Sequence, residues 1–175
     1  MNRREFITAA LAVGITQTKA AEIYRRCLIK KSNSEDEMYK ELWEAYFTNA
    51  VIDTYDFTAL NISSMVSSIA NGQQLRGVRA RCLKIPFMPI QSYFAGSSTY
   101  LEEVTCTSLP NNSYIFEGSN NLKDIYLTTE SKSQLKRSSA IYYTPPKSKW
   151  IEGVTFHCTD GTLKWNADTE VWDET

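Results

Sequence analysis

The sequence predicts an α+β chain: an N-terminal helical element over residues 1–52, a short β-solenoid over residues 53–128, and a β-hairpin cap over residues 129–175. Three observations predict it. Apolar residues near the N-terminus recur at helical 3–4 steps. The middle of the chain repeats at intervals of 21 to 22 residues. The C-terminal stretch alternates apolar and polar residues around an Asp-Gly pair.

Composition limits the function classes. The 175 residues are 42% hydrophobic and 22% charged, ordinary for a globular domain and unlike a disordered chain. Nineteen Lys+Arg against twenty Asp+Glu leave a net charge of -1, so no global field draws in phosphates and no nucleic-acid partner is expected. No apolar run reaches the ~18 residues of a membrane helix, so no integral membrane segment is expected either.

The N-terminal element admits two readings. Arg3, Arg4, Glu5, Phe6 and Ile7 resemble a twin-arginine export signal, and Thr18, Lys19 and Ala20 form a passable cleavage site. Against export, Phe6, Ala9, Val13, Ala20, Ile23 and Cys27 fall on one helical stripe that runs past the cut, with polar Thr16 its one flaw. A second helix is expected from about 35 to 50: Ser34 and Glu37 have capping-box spacing, and Met38, Leu42, Tyr46 and Ala50 follow at four-residue steps. Residues 1–32 hold seven basic and two acidic side chains, a net of +5, whereas residues 33–56 hold one Lys and seven acids, a net of -6. The two helices either pair as an antiparallel hairpin joined at residues 31–33 or present unrelated solvated faces.

The solenoid rests on the repeat. Residues 94–106 read FAGSSTYLEEVTC and residues 116–127 read FEGSNNLKDIYL. Phe94, Gly96 and Ser97 match Phe116, Gly118 and Ser119 at a separation of 22, and Leu101, Val104 and Cys106 match Leu122, Ile125 and Leu127 at 21. ANGQQLRGVRARC supplies an earlier copy through Gly72, Leu75, Val78 and Ala80, and YDFTALNISSM a degenerate one around Phe57, Leu60 and Ile62. Glycine after an aromatic suits a tight turn, and the alternating end of each unit suits a short strand. Stacking should set Ala80, Cys106 and Leu127 in one ladder and Val78, Val104 and Ile125 in another.

At these residues the chain resembles the BspA-like leucine-rich repeat family over roughly residues 53–163, including the closing VTFHCTDGTL. It departs from the family in irregular spacing and in Pro86, Pro89 and Pro110 between strands. The resemblance implies a leucine-rich-repeat solenoid that binds other macromolecules, without catalysis, in bacterial surface proteins or their phages.

The cap follows from local signals. Thr129 is placed to cap a short helix over residues 130–137, with Leu135 its apolar member, and Pro145 and Pro146 stop any helix. Val154, Phe156 and Cys158 alternate up to Asp160 and Gly161. Leu163, Trp165, Val171 and Trp172 then complete two linked hairpins.

Chemistry finds little footing. Cys27, Cys82, Cys106 and Cys158 lie 55, 24 and 52 residues apart and read as buried thiols. His157 and Cys158 are strand neighbours on opposite faces and cannot form a nucleophile–base pair, so His157 reads as a solvent-side residue. Glu102, Glu103, Glu117 and Asp124 read as solvated carboxylates, and no phosphate loop or nucleophile elbow occurs. No catalytic, metal or cofactor site is expected.

The candidate partner-binding residues are Arg76, Arg79 and Arg81, with Lys84 beside them, and Tyr142, Tyr143 and Trp150. The arginines suit an anionic partner surface or are an ordinary strand exterior. The aromatics anchor a partner or pack between solenoid and cap. The function expected is a non-enzymatic protein-interaction or scaffold module held in an assembly, or self-associated, through its N-terminal helices. A phage virion component is one concrete version and a twin-arginine-exported surface or periplasmic binder the other. An enzyme is the remaining class.

Overall fold

A computed structural model describes residues 3–20, 29–32, 34–60, 78–86, 97–109, 115–138, 141 and 149–175. Its strands are β1 (Ile29–Lys31), β2 (Ile52–Asp56), β3 (Ala80–Lys84), β4 (Glu103–Cys106), β5 (Asp124–Leu127), β6 (Thr155–Cys158), β7 (Gly161–Asn166) and β8 (Val171–Glu174). All eight form one open mixed sheet in sequence order. The steps from β1 to β6 are parallel, and β6–β7 and β7–β8 are antiparallel. The helices are short: α1 (Arg3–Ala12), α2 (Glu35–Phe47) and α3 (Lys132–Leu135), with a 3-10 turn at Lys149–Ile151.

This overturns the expected α+β leucine-rich-repeat solenoid with an N-terminal helical element and a separate hairpin cap. The sheet begins inside the segment expected to be helical, where Lys30 pairs with Tyr55 and Lys31 with Asp56. It also runs without a break into the terminal hairpins, because Ile125 of β5 pairs directly with Phe156 of β6. The intervening strand also excludes the direct helical hairpin joined at residues 31–33.

The long N-terminal stripe fails for a local reason. Gly14 takes φ 81, a left-handed conformation that ends α1. Thr16 then accepts from the Lys19 N–H at 3.3 Å, so it caps a new helical turn and is no flaw in a continuous face. Val13, assigned to the buried stripe, is 74% exposed, and Ala10 is buried instead. Ile23 and Cys27 lie outside the described residues.

The second helix matches its signals more closely. The Glu37 N–H donates to the Ser34 hydroxyl at 3.2 Å, and Met38, Leu42 and Ala45 are buried. The helix stops before Ala50 because Asn49 enters the left-handed region at φ 52, letting the Ala50 N–H bond back to the Ala45 carbonyl at 3.0 Å.

The repeat is real, but its first copy sits in a different register. Val104 pairs with Ile125 and Cys106 with Leu127, as expected. Leu83, not Val78, stands beside Val104, and Ala80 stands beside Ile52. The shared pattern is one apolar residue, two others, then alternation: Ala80, Leu83, Ile85; Leu101, Val104, Cys106; Leu122, Ile125, Leu127. All nine are buried. Ile52, Tyr55 and Phe57 continue it on the other side. Val78 is buried in the preceding turn, where its N–H donates to the buried Ser98 hydroxyl at 2.6 Å; the Ser98 N–H donates in turn to Ser119 at 3.2 Å. Gly96 lies outside the described residues, but the turn geometry of the two copies is visible at the next residue. Ser97 at φ 58 lies against Gly118 at φ 78, and a Cβ on Gly118 would come within 3.3 Å of the Ser97 hydroxyl.

At the C-terminal end, Ser131 rather than Thr129 caps α3, through a reciprocal capping box with Gln134. The Thr129 hydroxyl donates to the Thr107 carbonyl at 3.0 Å, tying adjacent turns together. Leu135 is fully buried, and Cys158 pairs with Gly161 across the first hairpin. The core lies on one side of the sheet, under α2, α3 and the connecting turns.

Candidate binding surface

The alternation that drives Leu83, Val104, Ile125 and Phe156 inward turns their neighbours to the opposite face. Reading across the register, Asp56, Lys84, Thr105, Tyr126, His157 and Thr162 form one outward row. Thr54, Cys82, Glu103, Asp124, Thr155 and Lys164 form the next. Parallel strands are normally covered on both faces. Here the second face carries polar and aromatic groups: Tyr126 is exposed, Glu103, Asp124 and His157 are half-buried, and Thr54 and Cys82 are buried.

At its centre the Tyr126 and His157 rings stack at 4.2 Å with 9° between their planes, and Tyr126 is 37% exposed. His157 Nε2 lies 2.8 Å from Asp124 Oδ1, which fixes the imidazole orientation. Partial desolvation, reinforced by Asp124 and Glu103, raises the Tyr126 phenol above its ordinary range. Glu103 stands directly opposite Asp124, two carboxylates side by side whose mutual repulsion the His157 contact offsets when the imidazole is protonated. Elsewhere, ion pairs join successive strands and turns: Arg81 Nε donates to Asp53 at 3.0 Å, and Lys123 meets Glu102 at 3.2 Å. The Thr58 hydroxyl and N–H, with Lys31 and Lys84 nearby, hold the Asp56 carboxyl below its usual range.

The sequence-derived candidates are distributed differently. Arg81 is exposed beside this face but engaged with Asp53. The Arg79 guanidinium sits 5.3 Å over the Tyr100 ring, a cation–π contact. Trp150 is a core residue at 4% exposure, edge-on to Phe116 and Phe156, so of its two readings the structure has internal packing and not a surface anchor. Arg76, Tyr142 and Tyr143 lie outside the described residues. Sequence reasoning missed Tyr126, Asp124 and Lys84 as one surface. The signal was available in the variable positions of L-x-x-V-x-C and L-x-x-I-x-L once the copies are aligned on Leu83.

The described thiols are not activated for nucleophilic chemistry. Burial pushes the Cys106 thiol up to about 12 and the Cys158 thiol up to about 11, and burial with Glu103 raises Cys82 as well. Such thiols are poor nucleophiles at neutral pH. Among the described residues no three His, Cys, Asp or Glu side chains gather as a metal site. A cavity of about 160 Å³ between the end of α2 and strands β1 and β2, lined by Lys30, Glu41, Thr48 and Tyr55 among others, is smaller than usual ligand pockets. Among the described residues no helix is long and apolar enough to cross a membrane. Comparison with protein-family models, with curated proteins and with solved structures finds no match for this chain.

Proposed function

We propose that this chain is a non-catalytic protein-interaction module whose outward sheet face receives a protein partner. The observation that carries the reading is the half-exposed Tyr126–His157 stack on the outward face of the described strands, with the imidazole held by Asp124. A stacked ring is an amphipathic anchor that loses little freedom on binding, and aromatic residues dominate interface energetics. Charges of both signs on that face, Lys84 and Lys164 with Glu103 and Asp124, favour a protein surface over a polyanion. Leu11 and Val13 on and after α1 are 49% and 74% exposed, which supports the N-terminal segment as the attachment to a virion or to the cell envelope.

The test is site-specific photo-crosslinking in the cell that makes the protein. Probes at Thr105 and Tyr126 should each yield the same discrete conjugate, and a probe at Asp168, in the turn between β7 and β8, should not. Conjugates from Asp168 alone, or none from the sheet face, would contradict the reading.

A further inference from the structure

Among the described residues, both ends of the sheet lack a further paired strand. Among the described strands, β1 pairs only with β2 and β8 only with β7, so each leaves an outer row of backbone N–H and C=O groups. Such an edge is a template for an added strand.

Strand direction determines how copies can join. Strands β1 to β6 run parallel, and the two antiparallel steps to β7 and β8 return β8 to the direction of β1. A second copy in the same orientation therefore brings its β1 to the β8 edge as a parallel neighbour, and the sheet continues without inversion.

The side chains of the two edges complement one another. Ile29 at 59% and Val171 at 53% are among the most exposed large apolar residues of the described chain. Both sit on the outward face, two residues before a charge: Lys31 follows Ile29 and Asp173 follows Val171. The Lys31 side chain is 70% exposed and only loosely paired with Asp56 at 3.8 Å. Lys30 and Glu174 are engaged within the molecule, with Glu41 at 2.8 Å and with Lys132 at 3.6 Å.

We infer that the protein self-associates head to tail, the β8 edge of one copy pairing in parallel with the β1 edge of the next, Val171 beside Ile29 and Asp173 beside Lys31. Charges on edge strands ordinarily block pairing. Here they have opposite signs at the two ends, so they disfavour β1–β1 and β8–β8 contacts and admit only the mixed one. The contact is heterologous and does not close as a two-fold dimer, so copies add one after another beyond two.

Sedimentation of the full-length protein over a wide concentration range tests this. Average mass should rise continuously with concentration, past the dimer. Lys31→Glu and Asp173→Lys should each lower the association constant about tenfold by placing like charges side by side. The double variant K31E/D173K should restore association by swapping the pair. Circular dichroism of each variant should match the parent, since both side chains point to solvent. A monomer at every concentration, a closed dimer, or association that either single reversal leaves unchanged would overturn the inference, as would failure of a folded double variant to recover.

Discussion

Replacing Leu101 with Ala tests the register on which the outward face depends. Leu101 has no exposed surface and lies in the buried row between Ala80 and Leu122. The substitution removes three carbons, worth about 2.4 kcal/mol at ~0.8 per methylene. Collapse around the vacancy is limited, because the Glu102 N–H bonds to the Arg81 carbonyl at 2.8 Å and the Lys123 N–H to the Glu102 carbonyl at 2.9 Å. A residual cavity of roughly 60 Å³ adds about 1.4 kcal/mol at ~24 cal/mol per Å³. The expected loss is therefore about 3–4 kcal/mol, or ~1.5–2 M in the urea midpoint at an unchanged slope of ~2 kcal/mol per M. Glu103→Ala, two positions along and facing outward opposite Asp124, should stay within about 0.5 kcal/mol. Equal costs for the two substitutions would refute the assignment of inner and outer faces.

Three further outcomes follow from the same geometry. Trp150→Ala should cost about 3–5 kcal/mol in urea unfolding because the ring is a core element against Phe116 and Phe156, and a neutral result would return Trp150 to the surface. Burial raises the Glu130 carboxyl above its ordinary range despite the hydrogen bond from the Leu109 N–H. Its favourable contribution is thus complete at pH below the unfolded value of ~4.3 and is lost as pH rises through the folded value, so Glu130→Gln should be the more stable protein at pH 7 and lose that advantage on acidification; a pH-independent difference in thermal midpoint would contradict this. Iodoacetamide at pH 8 should label Cys106 and Cys158 far more slowly in the folded than in the unfolded protein, read residue by residue by mass spectrometry, and rapid native labelling would show their thiols to be neither buried nor raised.

The parts of this fold legible in the sequence are those set by neighbours close along the chain. Ser34 and Glu37 locate the start of α2, and the alternation of Val154, Phe156 and Cys158 locates β6, because a cap or a period-2 face needs only a few residues to declare itself. The pairing of Val104 with Ile125 was legible because two well-preserved copies fix each other's register. The first copy was not, since Val78 and Leu83 are both apolar and only the sheet decides which enters the ladder. Strand β1 left no signal at all. Three residues, Ile29, Lys30 and Lys31, adopt extended structure through tertiary pairing with β2, against a basic composition that reads as helix or linker. The candidate surface stayed hidden for a related reason: Asp124, Tyr126 and His157 converge from strands separated by a long connection, and their contact exists only after β5 and β6 pair. Trp150 shows the converse, because an aromatic beside lysines looks exposed until the 3-10 turn at Lys149–Ile151 drives it into the core.

We propose the outward face of the sheet, and specifically the Tyr126–His157 stack, as the place where the protein meets its partner. Calorimetric titration of the crosslinked partner, once purified, against the parent and Tyr126→Ala measures it directly. Tyr126 lies on the exposed row and not in the core, so the variant should keep the parent's thermal midpoint. The account predicts a loss of about thirtyfold in affinity, the ~2 kcal/mol of an aromatic hot spot, with folding unchanged. Equal affinity of parent and variant would contradict it.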